Sequence, residues 1–196
     1  MNIQLVIARK EGNLEWLSNI KYPYRIYNKG VKDIPMSSVS MPDLGGKCHS
    51  FIHHIFEVYN NLADITVFTC SSPYEHYSYF ADAINQLPYS INKLFKFSDG
   101  CYGISNTILQ EDENYTKKFK LYPKVLCEKY FIHTSESFQY AKGSQYVVYK
   151  QNIHNKPREW YKNILVNTDW NGSAEQELER IWPMIFERNN RYRCKV

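Results

Sequence analysis

Apolar residues fall along the chain in short blocks whose spacing changes from one block to the next, and each block predicts an element. Ile3 to Ala8 is an apolar-rich run of strand length, and Leu14 to Asn19 reads as a short helical turn. Tyr24 to Tyr27 predicts a second strand, closed by the turn Asn28-Lys29-Gly30. Val31 to Met41 carries Pro35, Ser37, Ser38 and Ser40 and reads as a loop. From Lys47 to Leu62 the residues Phe51, Ile52, Ile55, Phe56, Tyr59 and Leu62 recur at spacings of three and four, which predicts a helix. Ile65 to Cys70 is a third, buried strand, and Tyr77 to Gln86 a helix that stops before Pro88.

The second half is less regular. Ser98 to Gly103 and the polar run Gln110 to Asn114 read as loops, and Thr116 to Tyr130 as a helix broken at Pro123. Gln145 to Tyr149 predicts a fourth strand, and Pro157 opens a helix to Asn167. A last helix runs through Phe186, with Ser173 and Gln176 as a capping box and a kink at Pro183. Its residues Leu178, Ile181, Trp182 and Ile185 form a buried stripe. Strands separated by helices predict one α/β domain over residues 1–196, with a mixed, mainly parallel sheet flanked by helices.

Composition narrows the function classes. Aromatics make up 16% of the chain, with 17 Tyr and 4 Trp, more than a minimal core needs, so some are free for sugar or base stacking. The net charge of +4 sits largely in the tail 188–196; nucleic-acid binding would want a larger basic face, whereas a small diphosphate ligand suits so mild an excess. The five cysteines are spread without a C-x-x-C pair, which predicts a reducing, cytoplasmic setting rather than a disulfide framework. No apolar stretch reaches the roughly 18 residues of a membrane span, and the start has no signal-peptide pattern.

Chemistry concentrates between Asp43 and His76, where a glycine turn, an amphipathic helix and a buried strand lead into Cys70-Ser-Ser-Pro-Tyr-Glu-His76. The carboxyl ends of strands in an open α/β sheet are where ligands bind. Gly45-Gly46 before the helix offers free N–H groups to a phosphate. His49 and His53, one helical turn apart, have the spacing of a zinc pair; Glu75, His76 or His133 would have to complete a metal-dependent hydrolase. Cys48 and His49 point in different directions and cannot form a nucleophile pair. Acid–base candidates are Glu11, Glu75, Glu177 and Glu179.

Three blocks resemble a family of proteins from fungi, bacteria and large viruses that look like glycosyltransferases of the A-type (GT-A) fold. The first is Leu5-Val-Ile-Ala-Arg-Lys-Glu-Gly-Asn-Leu-Glu-Trp-Leu with the turn Tyr27-Asn-Lys-Gly. The second is the Asp43–His76 segment, similar to a family pattern with a glycine, a spaced His-Thr, Asn-Leu-Ala-Asp and Pro-Phe-Asp-His. The third is Gly143-Ser-Gln-Tyr-Val-Val, followed by Glu179-Arg-Ile-Trp. Together they cover about two thirds of the chain.

The resemblance implies a nucleotide-sugar donor, a UDP-sugar in the simplest case, and a carbohydrate or glycoprotein acceptor. Ala8, Arg9 and Glu11 would line the nucleotide pocket, with Asn28 and Lys29 near it and Gly45 opening the helix that faces the donor. Pro73, Glu75 and His76 would occupy the place of metal and diphosphate, Glu75 and His76 anchoring Mn²⁺ or Mg²⁺, with Lys47 a further donor-binding candidate where this chain departs from the family. Gly143, Ser144 and Gln145 would lie beneath the acceptor, and Glu179 would be the base of an inverting enzyme. Three departures stand out. The family's Arg-Glu is Gly46-Lys47 here, Cys70 replaces its Gln, and no Asp-x-Asp exists; Glu111 and Glu113 form the nearest acidic pair. A catalytically inactive carbohydrate- or partner-binding module is the alternative that these departures favour.

Overall fold

The computed structural model describes residues 1–30, 37–111, 123–130, 132 and 138–187. Its strands are β1 (Ile3–Arg9), β2 (Tyr24–Asn28), β3 (Ser38–Ser40), β4 (Ile65–Cys70), β5 (Phe95–Ser98), β6 (Cys101–Gly103), β7 (Ile108–Glu111), β8 (Phe138–Ala141) and β9 (Tyr146–Tyr149). The helices are α1 (Gly46–Val58), α2 (Phe80–Asn85), α3 (Pro123–Lys129), α4 (Lys150–Ile153), α5 (Arg158–Asn167) and α6 (Ala174–Ile185). Among the described residues, seven strands form one sheet in the order β3-β2-β1-β4-β9-β6-β5, and β7 pairs with β8 in a separate ribbon. The half from β3 to β4 is parallel, with Ala8 opposite both Tyr27 and Cys70. The half from β4 to β5 is antiparallel.

The continuous apolar character of β1 and β4 follows from burial on both faces. Leu5, Ile7, Ile26, Val67 and Val147 point into one core layer with Trp16, Leu17, Phe80 and Ile84. Val6, Ala8, Tyr27, Phe68, Tyr146 and Val148 point into the other, beneath α1, α5 and α6. There Trp182 stacks near Phe68 at 6.2 Å and on Phe186 at 5.0 Å. Most of the aromatic surplus is therefore core: all four Trp and Tyr27, Tyr130, Tyr140, Tyr146 and Tyr161 are buried, while Tyr24, Tyr74, Tyr79 and Tyr89 are exposed. Among the described residues no helix is long and apolar enough to cross a membrane.

The connections place the site. The β1–β2 link, with its 3₁₀ turn Glu15–Asn19, lies on the Leu5 face, whereas α1, between β3 and β4, covers the Val6 face. The chain thus leaves β1 and enters β4 on opposite sides of the sheet, the arrangement in which open α/β sheets receive ligands beyond the strands' carboxyl ends.

Several elements differ from expectation. The loop read over 31–41 contains the edge strand β3; residues 31–36 lie outside the described set. Ser98 to Gly103, read as a loop, is the tip of the β5–β6 hairpin, where Gly100 takes φ +88° at the turn. Gln110 and Glu111 belong to β7 rather than a loop; Glu113 is outside the described residues, as are His133 and the tail 188–196. The helix expected over 77–86 is shorter and is preceded by the 3₁₀ turn Pro73–Glu75. Ser173 makes no cap bond to its helix; its hydroxyl instead donates to Glu177 Oε1 at 2.5 Å, because that buried carboxylate is the stronger acceptor.

Candidate functional site at the carboxyl edge of the parallel strands

Two short loops meet beyond β1 and β4. Ser71 donates its hydroxyl to the Glu11 carbonyl, and the Trp16 indole N–H donates to the Ser71 carbonyl at 2.8 Å. Gly12, at φ +101°, lies so close that a Cβ would fall 2.9 Å from Ser71 Oγ. Arg9 stretches across the same edge, donating from Nε to the Gly12 carbonyl at 3.2 Å and from Nη1 to Asn28 Oδ1 at 3.3 Å. Lys10 pairs with Asp43 at 2.7 Å, both exposed.

Beside these loops the start of α1, the turn before β9 and one face of α6 come together. The Lys47 ammonium donates to the Gly143 carbonyl at 3.0 Å. The Gly143 N–H donates to Glu179 Oε1 at 2.8 Å, and among the described residues no partner takes the second oxygen of that carboxylate. Against Gly143 packs the His76 ring, which a Cβ there would overlap. Ser144 follows at φ +55°, the only non-glycine residue with positive φ among those described. Such a conformation costs of order 1 kcal/mol and persists where neighbours dictate it. Burial, then the Lys47 charge, lowers the His76 pKa and keeps the imidazole neutral near pH 7.

Gln145 sits beneath this turn, fully buried. It accepts from the Thr69 hydroxyl and donates to the carbonyls of Pro73 at 3.2 Å and Ile104 at 3.4 Å. It braces the loop that carries Glu75 and His76 and does not face solvent.

The helix start is where a phosphate would be expected, and a protein carboxylate is there instead. Gly45 and Gly46 take φ of +57° and +49°, and no side chain caps the helix at Gly45. The Lys47 N–H donates to Glu175 Oε1 at 3.0 Å, with the Glu175 carboxylate lying directly on Gly46. Lys29 is buried close by, donating to the Leu44 carbonyl and lying 3.4 Å from His49 Nδ1. Burial lowers the Lys29 pKa to about 8, and burial with the Lys29 charge lowers that of His49 to about 4.

Of the residues singled out from the sequence, Lys47, His76 and Glu179 meet around Gly143, and Arg9 and Asn28 touch each other one loop away. Glu11 and Glu75 are exposed at the same edge. Ala8, Lys29, Pro73 and Gln145 are buried and support the edge from below. Glu177 is spent elsewhere: it accepts from Lys129 at 2.6 Å, Tyr130 at 2.7 Å and Ser173. Burial alone would raise its pKa, but these hydrogen bonds outweigh it and leave the carboxyl below its usual value.

The metal expectations find little support in the donor set. Among the described residues no three His, Cys, Asp or Glu side chains are grouped to hold an ion. His49 lies beside the Lys29 ammonium, a cation that opposes a second one, and His76 is packed on Gly143 instead of turning to join His49 and His53. Glu75 and His76 supply at most two donors, too few for a protein-built cage.

Glu175 was not among the sequence candidates. The signal for it was present, since it precedes Glu179 by one helical turn and the two must share a face of α6. No curated protein and no solved structure matches the chain. A family profile does match over residues 5–196, and by that match the chain belongs to the family described as "Protein of unknown function (DUF3431)".

Proposed function

We propose that this chain is a nucleotide-sugar-dependent glycosyltransferase with a GT-A-like architecture, in which Glu179 is the general base. The observation that carries the reading is the Gly143 cluster: a carboxylate held by one backbone N–H, with its other oxygen unclaimed among the described residues, near Lys47 at the switch point of the sheet's parallel half. The acceptor hydroxyl would give its proton to Glu179 while its oxygen bonds to the anomeric carbon. The bond from that carbon to the diphosphate oxygen breaks at the same time, and the electron pair leaves with the diphosphate. Lys47, Arg9 and Lys10 supply positive charge where that negative charge grows. No step is assigned to Mn²⁺ or Mg²⁺, because the donors among the described residues do not form a cage for either.

The test is a thermal-shift screen of nucleoside diphosphates and their sugars, with and without Mn²⁺, followed by donor turnover. A selective rise in melting temperature for one donor, together with its hydrolysis or transfer, supports the reading. One observation favours a catalytically silent binding module instead: Glu175 already fills the helix start where a phosphate would sit. Donor binding without any turnover, with or without carbohydrate acceptors, would select that alternative.

A further inference from the structure

Glu175 and Glu179 are one helical turn apart on α6, and each accepts one backbone N–H from a different segment: Lys47 at the start of α1, and Gly143 before β9. The two segments are joined to each other by the bond from the Lys47 ammonium to the Gly143 carbonyl. The result is a closed ring of three hydrogen bonds through α6, α1 and the Gly143 turn. Within it, Lys47 is held at its backbone by one carboxylate and at its side chain by the turn that holds the other.

Two successive left-handed glycines lead into the helix. Besides the Glu175 carboxylate, the helix start is held by the Gly45 N–H on the Trp170 carbonyl at 2.9 Å, by the Lys29 ammonium on the Leu44 carbonyl, and by the Cys48 thiol 3.6 Å from the Glu175 carbonyl. Glycines leave the backbone free to reorient. The Glu175 carboxylate removes that freedom both by accepting from Lys47 and by lying on Gly46, where no Cβ would fit.

We propose that Glu175 is a positioning residue: it fixes the first turn of α1 so that the Lys47 ammonium reaches the Gly143 turn, and through that turn it sets where Glu179 presents its carboxylate. The inference rests on the glycosyltransferase reading only for what the ring serves. The ring itself can be tested without a donor.

His76 is the reporter. Its ring packs on Gly143, and after burial the Lys47 charge is the largest cause of its lowered pKa. The His76 titration is followed by NMR in the intact protein and in E175Q, E175D, E175A and K47M, with the signal assigned by its loss in H76Q. E175Q keeps an acceptor oxygen at full reach and should titrate as the unchanged protein. E175D keeps the charge but is one methylene short, so it should release Lys47. Its His76 midpoint should then rise by about half a pH unit or more, as in E175A, through loss of a nearby cation. K47M should give the same rise, and K47M with E175D no further rise, because the two act through one contact.

A melting point lowered in E175D or E175A with the His76 midpoint unmoved would overturn the proposal and leave Glu175 as an ordinary helix cap. Additive shifts in the double variant would also overturn it. Should E175A not fold, E175D and K47M decide the matter between them. Absence of sugar transfer in every variant would count against the proposed activity and leave the titration result standing.

Discussion

Glu177 and Glu179 lie two positions apart on the same helix and have opposite fates. A helix turns about 100° per residue, so residues two apart face away from one another, whereas Glu175 and Glu179 share a face. Glu177 is turned inward and satisfied by Lys129, Tyr130 and Ser173. Replacing it by Gln removes a charge that three charge-assisted bonds depend on, and should cost about 1–3 kcal/mol in urea denaturation with no change in donor affinity. Replacing Glu179 by Gln should do the reverse. The single bond from Gly143 can be kept by an amide oxygen, so stability should hold, while transfer falls by about 10²–10⁴, the usual yield of a positioned base. Transfer assays and calorimetric donor binding on the two variants check this. Full transfer by E179Q would remove the base assignment, and loss of transfer in E177Q at unchanged stability would move it.

The start of α1 depends on Gly46 in a way that its sequence position alone does not announce. Its φ of +49° is left-handed, and a Cβ would run into the Glu175 carboxylate. Gly46→Ala should therefore destabilise by about 1–3 kcal/mol, read from the thermal or urea midpoint, and should weaken the hold on Lys47 as well. Equal stability in that variant would mean that the helix start can shift without cost. The same region shows what the residues made legible. β1, β4, α1, α5 and α6 carry complete hydrophobic patterns and appear within a few residues of where those patterns put them. β3 and β6 were read as loops and β5 was not read as an element, because each is three or four residues long and their pairing comes from distant partners. Cys101, for example, faces Val148 across the sheet. For the site, the ends of β1 and β4 were legible as ligand-facing, and Lys47, His76 and Glu179 do converge. The Glu175–Lys47 bond spans 128 positions, and no local pattern encodes a contact of that kind.

The two-layer core commits the whole molecule to burying histidines, and this gives it a direction of pH sensitivity. His54 lies between α1 and the sheet with no exposed surface, accepting or donating at Nδ1 with the Tyr27 hydroxyl at 2.9 Å. Burial, with Arg25 and His53, lowers its pKa to about 3; His49, beside Lys29, is lowered to about 4. In the unfolded chain both would titrate near about 6.5. Between that value and the folded one the unfolded state binds protons that the native state refuses. Stability is then complete above about pH 6.5 and is lost as pH falls, at about 1.4 kcal/mol per pH unit for each group. Two such groups remove several kcal/mol by pH 4.5, a large part of an ordinary domain's 5–15 kcal/mol. Urea midpoints at pH 7.5, 6 and 4.5 should fall in that order. His54→Gln should be less stable at pH 7.5, having lost a buried partner for Tyr27, yet show a shallower fall on acidification. An equal slope in the variant would show that His54 is protonated inside the folded protein, and the buried, neutral imidazole would have to be abandoned.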